Sequence, residues 1–147
     1  YWIWKALDSV QPRIVVVEYN SLFGPDLAVT VPYAPEFSWH DAHFSGQFFG
    51  ASLAALELLA KDKGYQLVGA GSNGVNAFFV RRDVAGSLPA LSTAEAYVPI
   101  RARTSRDEQG KLTYASNHGD MLRLLREKQL WQVDAGRLRT VSELYGL

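Results

Sequence analysis

The amino-acid sequence predicts an α/β fold: an open sheet, mostly parallel, that closes in an antiparallel hairpin. Three observations carry this expectation. Ile14-Val15-Val16-Val17 is an unbroken β-branched run, too short for a helix and lacking the polar alternation of a strand that faces water. Leu53, Leu56, Leu58, Leu59 and Ala60 set an apolar helical face, with Gly64 placed to end it. Two strand-like runs then flank Gly71-Ser72-Asn73-Gly74, whose Asn-Gly pair favours a tight turn.

The elements follow in order. Trp2, Ile3, Ala6, Leu7 and Val10 recur at helical spacing until Pro12 stops them, which gives an opening helix. Residues 13–20 form a strand expected to be parallel, buried on both faces, and to deliver Glu18, Tyr19 and Asn20 to a crevice at its carboxyl end. Residues 21–46 show little periodicity beyond a short extended piece at 29–33, with Pro25, Pro32 and Pro35 as breakers. Phe23, Tyr33, Phe37, Trp39 and Phe44 argue that this stretch is an ordered loop over the sheet end. A helix at 48–63 and strands at 65–70 and 76–81 complete a core over 1–85. The tail, 86–147, reads as a short helix at 92–98, a polar turn at Gln109-Gly110, a helix at 118–128, and then a short strand and a helical turn. A buried parallel strand needs parallel neighbours, and only one other strand here can supply one, so the sheet is expected to be incomplete. Because the chain starts at Tyr1 inside an apolar pattern, it reads as part of a longer polypeptide.

Composition narrows the function classes. With 147 residues and 48% hydrophobic content the chain can bury one substantial core, so a single domain is expected. Fifteen Lys and Arg balance fifteen Asp and Glu, leaving no net field for nucleic acid or an anionic membrane, which favours a small-molecule or protein partner. The absence of cysteine excludes disulfides, thiolate metal sites and a cysteine nucleophile, and fits a cytoplasmic location. No stretch reaches the roughly 18 apolar residues of a membrane span.

Among candidate site residues, Glu18 stands where an apolar strand ends, and its carboxylate there suits proton abstraction or a grip on ribose or sugar hydroxyls; an ion pair or helix cap is the alternative. Tyr19 and Asn20 would add a stacking face and an orienting amide, or simply begin the loop. His40-Asp41-Ala42-His43 places two imidazoles and a carboxylate in one loop. With Trp39 and Phe44 flanking it and no third ligand nearby, an aromatic-walled pocket holding one base is preferred to a metal centre, and a solvated loop without chemistry stays open. Gly69-Ala70-Gly71-Ser72-Asn73-Gly74 fits the G-x-G-x-x-G pattern, but a strand follows where a phosphate-binding helix is needed, so it reads as a hairpin. His118 reads as a helix start with Asn117 or Asp120 in the cap. Arg101, Arg103 and Arg106 read as a solvated basic face rather than a phosphate site. No serine sits in a G-x-S-x-G elbow.

Four stretches, Val16-Val17-Glu18-Tyr19-Asn20, Gly50-Ala51-Ser52-Leu53-Ala54-Ala55-Leu56, Lys63-Gly64-Tyr65-Gln66-Leu67-Val68-Gly69 and Asn76-Ala77-Phe78-Phe79-Val80, together with the element order, are similar to proteins related to FkbM-type methyltransferases. The likeness covers about residues 1–83. It implies the second half of a Rossmann-like fold of class I S-adenosylmethionine-dependent methyltransferases, which ends in a closing antiparallel pair. The family's glycine-rich loop and ribose-binding acid belong to the first half, so S-adenosylmethionine would be bound mainly outside this chain. The resemblance implies a carboxyl-terminal, substrate-positioning part acting on a small molecule. Glu18 or His40 would be the base, and Tyr19, Asn20, Trp39 and His43 would line the acceptor pocket. The rival expectation is a non-catalytic α/β binding module, or one that self-assembles through an uncovered sheet edge.

Overall fold

The computed structural model describes residues 1–100, 105–113 and 117–147. Its elements are α1 (Trp2–Ala6), β1 (Ile14–Glu18), β2 (Val29–Thr30), α2 (Trp39–Ala42), α3 (Leu53–Asp62), β3 (Tyr65–Ala70), β4 (Asn76–Arg81), α4 (Thr93–Ala96), α5 (His118–Leu124), β5 (Gln129–Gln132), β6 (Arg137–Thr140) and α6 (Val141–Tyr145). They form two three-stranded sheets, ordered β1-β4-β3 and β2-β5-β6. Every strand pair in both is antiparallel.

The expectation of a mostly parallel, Rossmann-like sheet is therefore corrected. The tight turn after β3 folds β4 straight back along it, and β4 then offers its other edge to β1, pairing Ile14 with Val80 and Glu18 with Asn76. β1 is thus an edge strand with no parallel neighbour among the described residues. Its burial is corrected too. Val15 and Val17 turn toward the core, whereas Ile14 and Val16 are 59% and 55% exposed. A β-branched run fits a strand with one wet face as well as one covered twice.

The hairpin itself matches the sequence reading. β3 and β4 occupy the predicted 65–70 and 76–81, and Gly74, at φ 71, makes the turn that only a residue without a Cβ enters cheaply. The glycine pattern is accordingly a turn and not a phosphate cradle: Gly71 N–H donates to the Asn76 carbonyl and Val75 N–H to the Asn73 side chain.

α3 is shorter than its apolar pattern. It starts at Leu53 because Ala51 and Ser52, after the turn at Gly50 (φ 65), are tied down beside β2 and the end of β1: Val31 N–H donates to the Gly50 carbonyl, Asn20 N–H to Ala51 and Ser52 N–H to Val29. The Ser52 hydroxyl then accepts from Ala55 N–H at the helix start and from Val29 N–H in β2. Leu53, Leu56 and Leu59 of α3 pack with Trp4, Tyr65, Leu67, Ala77 and Phe79 on one face of the first sheet. A second core joins Leu22, Phe23, Val29 and Phe48 to Met121, Leu122, Leu125, Leu130 and Val141. The predicted tail is thus half of the second core, since its β5 pairs with β2.

Candidate functional site

β1 carries Glu18 to its carboxyl end, where the side chain is exposed. The next two residues turn inward. The Tyr19 ring is 1% exposed, and its hydroxyl donates to the Val98 carbonyl at 2.7 Å and accepts from Val98 N–H at 3.2 Å. Burial raises the Tyr19 phenol above its usual range, with the Val98 hydrogen bond acting the other way, so it stays a protonated donor at neutral pH. Asn20 is 2% exposed and meets all its needs within the chain. Its amide donates to the Gln47 and Phe49 carbonyls at 2.9 and 3.0 Å, and its oxygen accepts from Leu22 N–H.

The crevice expected beyond β1 is largely filled. A strap at residues 97–100 lies over the strand end, held by Tyr19, by the Tyr97 hydroxyl donating to the Ser21 carbonyl at 2.7 Å, and by Ile100 N–H donating to the Ser21 hydroxyl at 3.0 Å. The strap packs so close to the hairpin turn that a Cβ on Gly74 would lie 2.5 Å from the Val98 oxygen. Tyr19 and Asn20 thus build the end of the strand and do not line an open pocket.

The histidine loop separates into two halves. Trp39, 48% exposed, stacks on the exposed His40 with ring centroids 3.6 Å apart and lies against Gly46. His43 instead turns in. Its Nδ1 accepts from Ser45 N–H at 3.2 Å and stands 2.7 Å from the Ser45 hydroxyl, while its ring packs on Phe44. Burial and the nearby Lys128 ammonium hold the His43 imidazole below its usual pKa, with the Leu124 carbonyl opposing. A neutral imidazole is a competent base, but Ser45 is fully buried, so the His43–Ser45 pair is a turn-locking contact rather than a nucleophile dyad. His40 is the more accessible base of the two. Among the described residues no group of three or more His, Cys, Asp or Glu could hold a metal ion.

A different aromatic-walled cleft, without a histidine, involves the earlier part of the same loop. A cleft of about 470 Å³ is bounded by Trp2 and Ile3 of α1, by Thr30, and by Tyr33, Pro35 and Phe37. It adjoins Asn20 through Gly50, whose Cβ position would be 3.9 Å from the Asn20 Cβ. A second cleft, of about 410 Å³, runs between Phe44, Leu124 and the 106–109 turn. None of the six predicted site residues lines either cleft. Tyr33 and Phe37 stood among the loop aromatics of the sequence, but nothing local announced Trp2, which joins them through a hydrogen bond from its indole N–H to the Val31 carbonyl.

Of the remaining candidates, Asn117 caps α5 by accepting from Gly119 N–H, as its position before His118 suggested. Arg106 donates to the Gly110 carbonyl in its own turn, and Arg101 and Arg103 lie outside the described residues. No helix among the described residues is long and apolar enough to cross a membrane. No protein-family model, curated protein or solved structure matches the chain.

Proposed function

We propose that the chain is the carboxyl-terminal, substrate-positioning part of an S-adenosylmethionine-dependent methyltransferase that acts on a small molecule in the cytoplasm. The supporting observation is strand direction. β1 and β3 each run antiparallel to β4 between them, so they run the same way, with α3 between them in the chain and β3-β4 as a closing antiparallel pair. β1 then ends on Glu18, an exposed carboxylate beside a strapped strand end. S-adenosylmethionine supplies an electrophilic methyl group; this chain supplies a base, Glu18 or His40, and acceptor contacts. Because Tyr19 and Asn20 are already engaged internally, the cofactor's adenosine and amino-acid ends would be held chiefly by polypeptide outside this chain.

Isothermal titration with S-adenosylmethionine, on this chain and on the product of the complete reading frame, tests the proposal. Binding by the longer product alone is expected, and binding by neither sinks it. In that product Glu18→Gln or His40→Ala should lower turnover by about 10²-fold or more if that residue is the base. Unchanged turnover in both removes the site assignment.

A second reading, an assembly module, has its own observation. Arg13, Val15 and Val17 bond to β4 and Tyr19 to Val75 just before it, so the backbone groups of Ile14 and Val16 point to the outer side of the sheet, where no strand among the described residues meets them. Such an edge is a template for another strand.

A further inference from the structure

We propose that the cleft between α1 and the 30–37 segment binds an uncharged, flat ring compound, an aromatic or fused-ring small molecule held by stacking. Three large apolar side chains around this one cleft stand in water: Ile3 is 85%, Tyr33 66% and Phe37 40% exposed. Clustered exposure of this kind is costly and marks a surface with a ligand or partner. The size, about 470 Å³, suits a small molecule rather than a protein segment.

The chemistry of the walls selects among small molecules. None of the eleven lining residues has a side chain that carries a formal charge at neutral pH. The Lys5 ammonium, 5.8 and 5.3 Å from the Tyr1 and Trp2 ring centroids, is engaged with those rings, so a cation would be repelled and an anion would have to compete with the rings for it. There is also no carboxylate or carboxamide to bracket sugar hydroxyls, and the Thr30 hydroxyl already donates to the Val31 or Gly50 carbonyl. What remains is ring surface, which favours flat apolar faces at stacking distance.

The wall is also preorganised. Trp2 is fixed by its 2.8 Å hydrogen bond to Val31 and by edge or tilted contacts to Tyr1, Tyr33 and Trp131 at 5.0, 6.2 and 6.4 Å. Pro32 and Pro35 restrict the facing backbone. A ligand would therefore meet rings that lose little freedom on binding.

Titration with phenylnaphthylamine, an uncharged fluorescent probe, is the test. The expected result is saturable binding at one site, with quenching of tryptophan emission. A Tyr33→Ala/Phe37→Ala double variant should weaken it about tenfold or more. Ile3→Glu, at a position so exposed that folding is insensitive to it, should also weaken binding by placing a charge at the mouth. Val16→Lys, which alters an exposed apolar group outside the cleft, should leave it unchanged. Non-saturable binding, equal binding in both cleft variants, or loss in Val16→Lys would each overturn the proposal.

Discussion

Asn20 shows how one buried amide can fix a loop. Its side chain joins the end of β1 to the Gln47 and Phe49 carbonyls, 27 and 29 residues away, and caps the turn at Ser21–Phe23. Removing it takes one donor from each carbonyl, in a bond that is buried at Gln47 and part-buried at Phe49. Asn20→Ala should therefore cost about 3 kcal/mol in urea unfolding, and a loss below about 1 kcal/mol would show that the amide is not what holds the loop. His43 offers a pH-dependent counterpart. Its folded pKa lies below the ordinary 6.5, so as pH falls through about 6.5 the unfolded chain takes up the proton first. Stability from this group is complete above that value and declines below it until the folded imidazole titrates as well. His118, although exposed, acts with the same sign through partial desolvation of its ring. The urea midpoint should fall on acidification through this range, and His43→Gln should flatten part of that slope. A slope unchanged by the substitution would mean that His43 feels the same environment folded and unfolded.

At the scale of elements, what the sequence disclosed depended on how local the deciding contacts were. β3 and β4 were legible because Gly64 and the Asn73-Gly74 turn bound them closely. The place of β1 was legible in its β-branched run, but its direction and covering were not, since both depend on which edge β4 reaches. The start of α3 carried an overlooked local signal: Ser52 stands directly before the apolar run. The site was less legible still. Trp39, His40 and His43 drew attention by their chemistry, whereas the aromatic cleft depends on Trp2 meeting Val31 across 29 residues. Ser52→Ala should test the element argument. The hydroxyl is fully buried and serves both the α3 start and β2, so its loss should cost about 2 kcal/mol and raise amide exchange at Ala55 and Val29 together. Faster exchange at Ala55 alone would reduce Ser52 to an ordinary cap.

For the whole molecule, the question is how two small sheets coexist and which of their edges stay open. The two cores are joined where β2 meets both β5 and residue Ala51, and where Asn20 grips the loop, so the first sheet is backed on one face by α3. Its β3 edge is partly covered, because Leu91 N–H donates to the Leu67 carbonyl. The β1 edge has no such cover among the described residues, and the apolar 14–17 run holds no charge or proline to deter pairing. On the adjoining face Ile14, Val16 and Phe78 remain exposed, at 59%, 55% and 37%. A formal net charge of zero adds no general repulsion between copies. The isolated chain should therefore self-associate in sedimentation velocity as its concentration rises. Val16→Lys places a cation on the exposed face of the open edge, and it should restore the monomer while shifting the urea midpoint only slightly. If the parent chain stays monomeric, or the variant associates equally well, β1 is not the assembling edge. If the product of the complete reading frame fails to associate while this chain does, another part of that polypeptide covers the edge, as the methyltransferase reading requires.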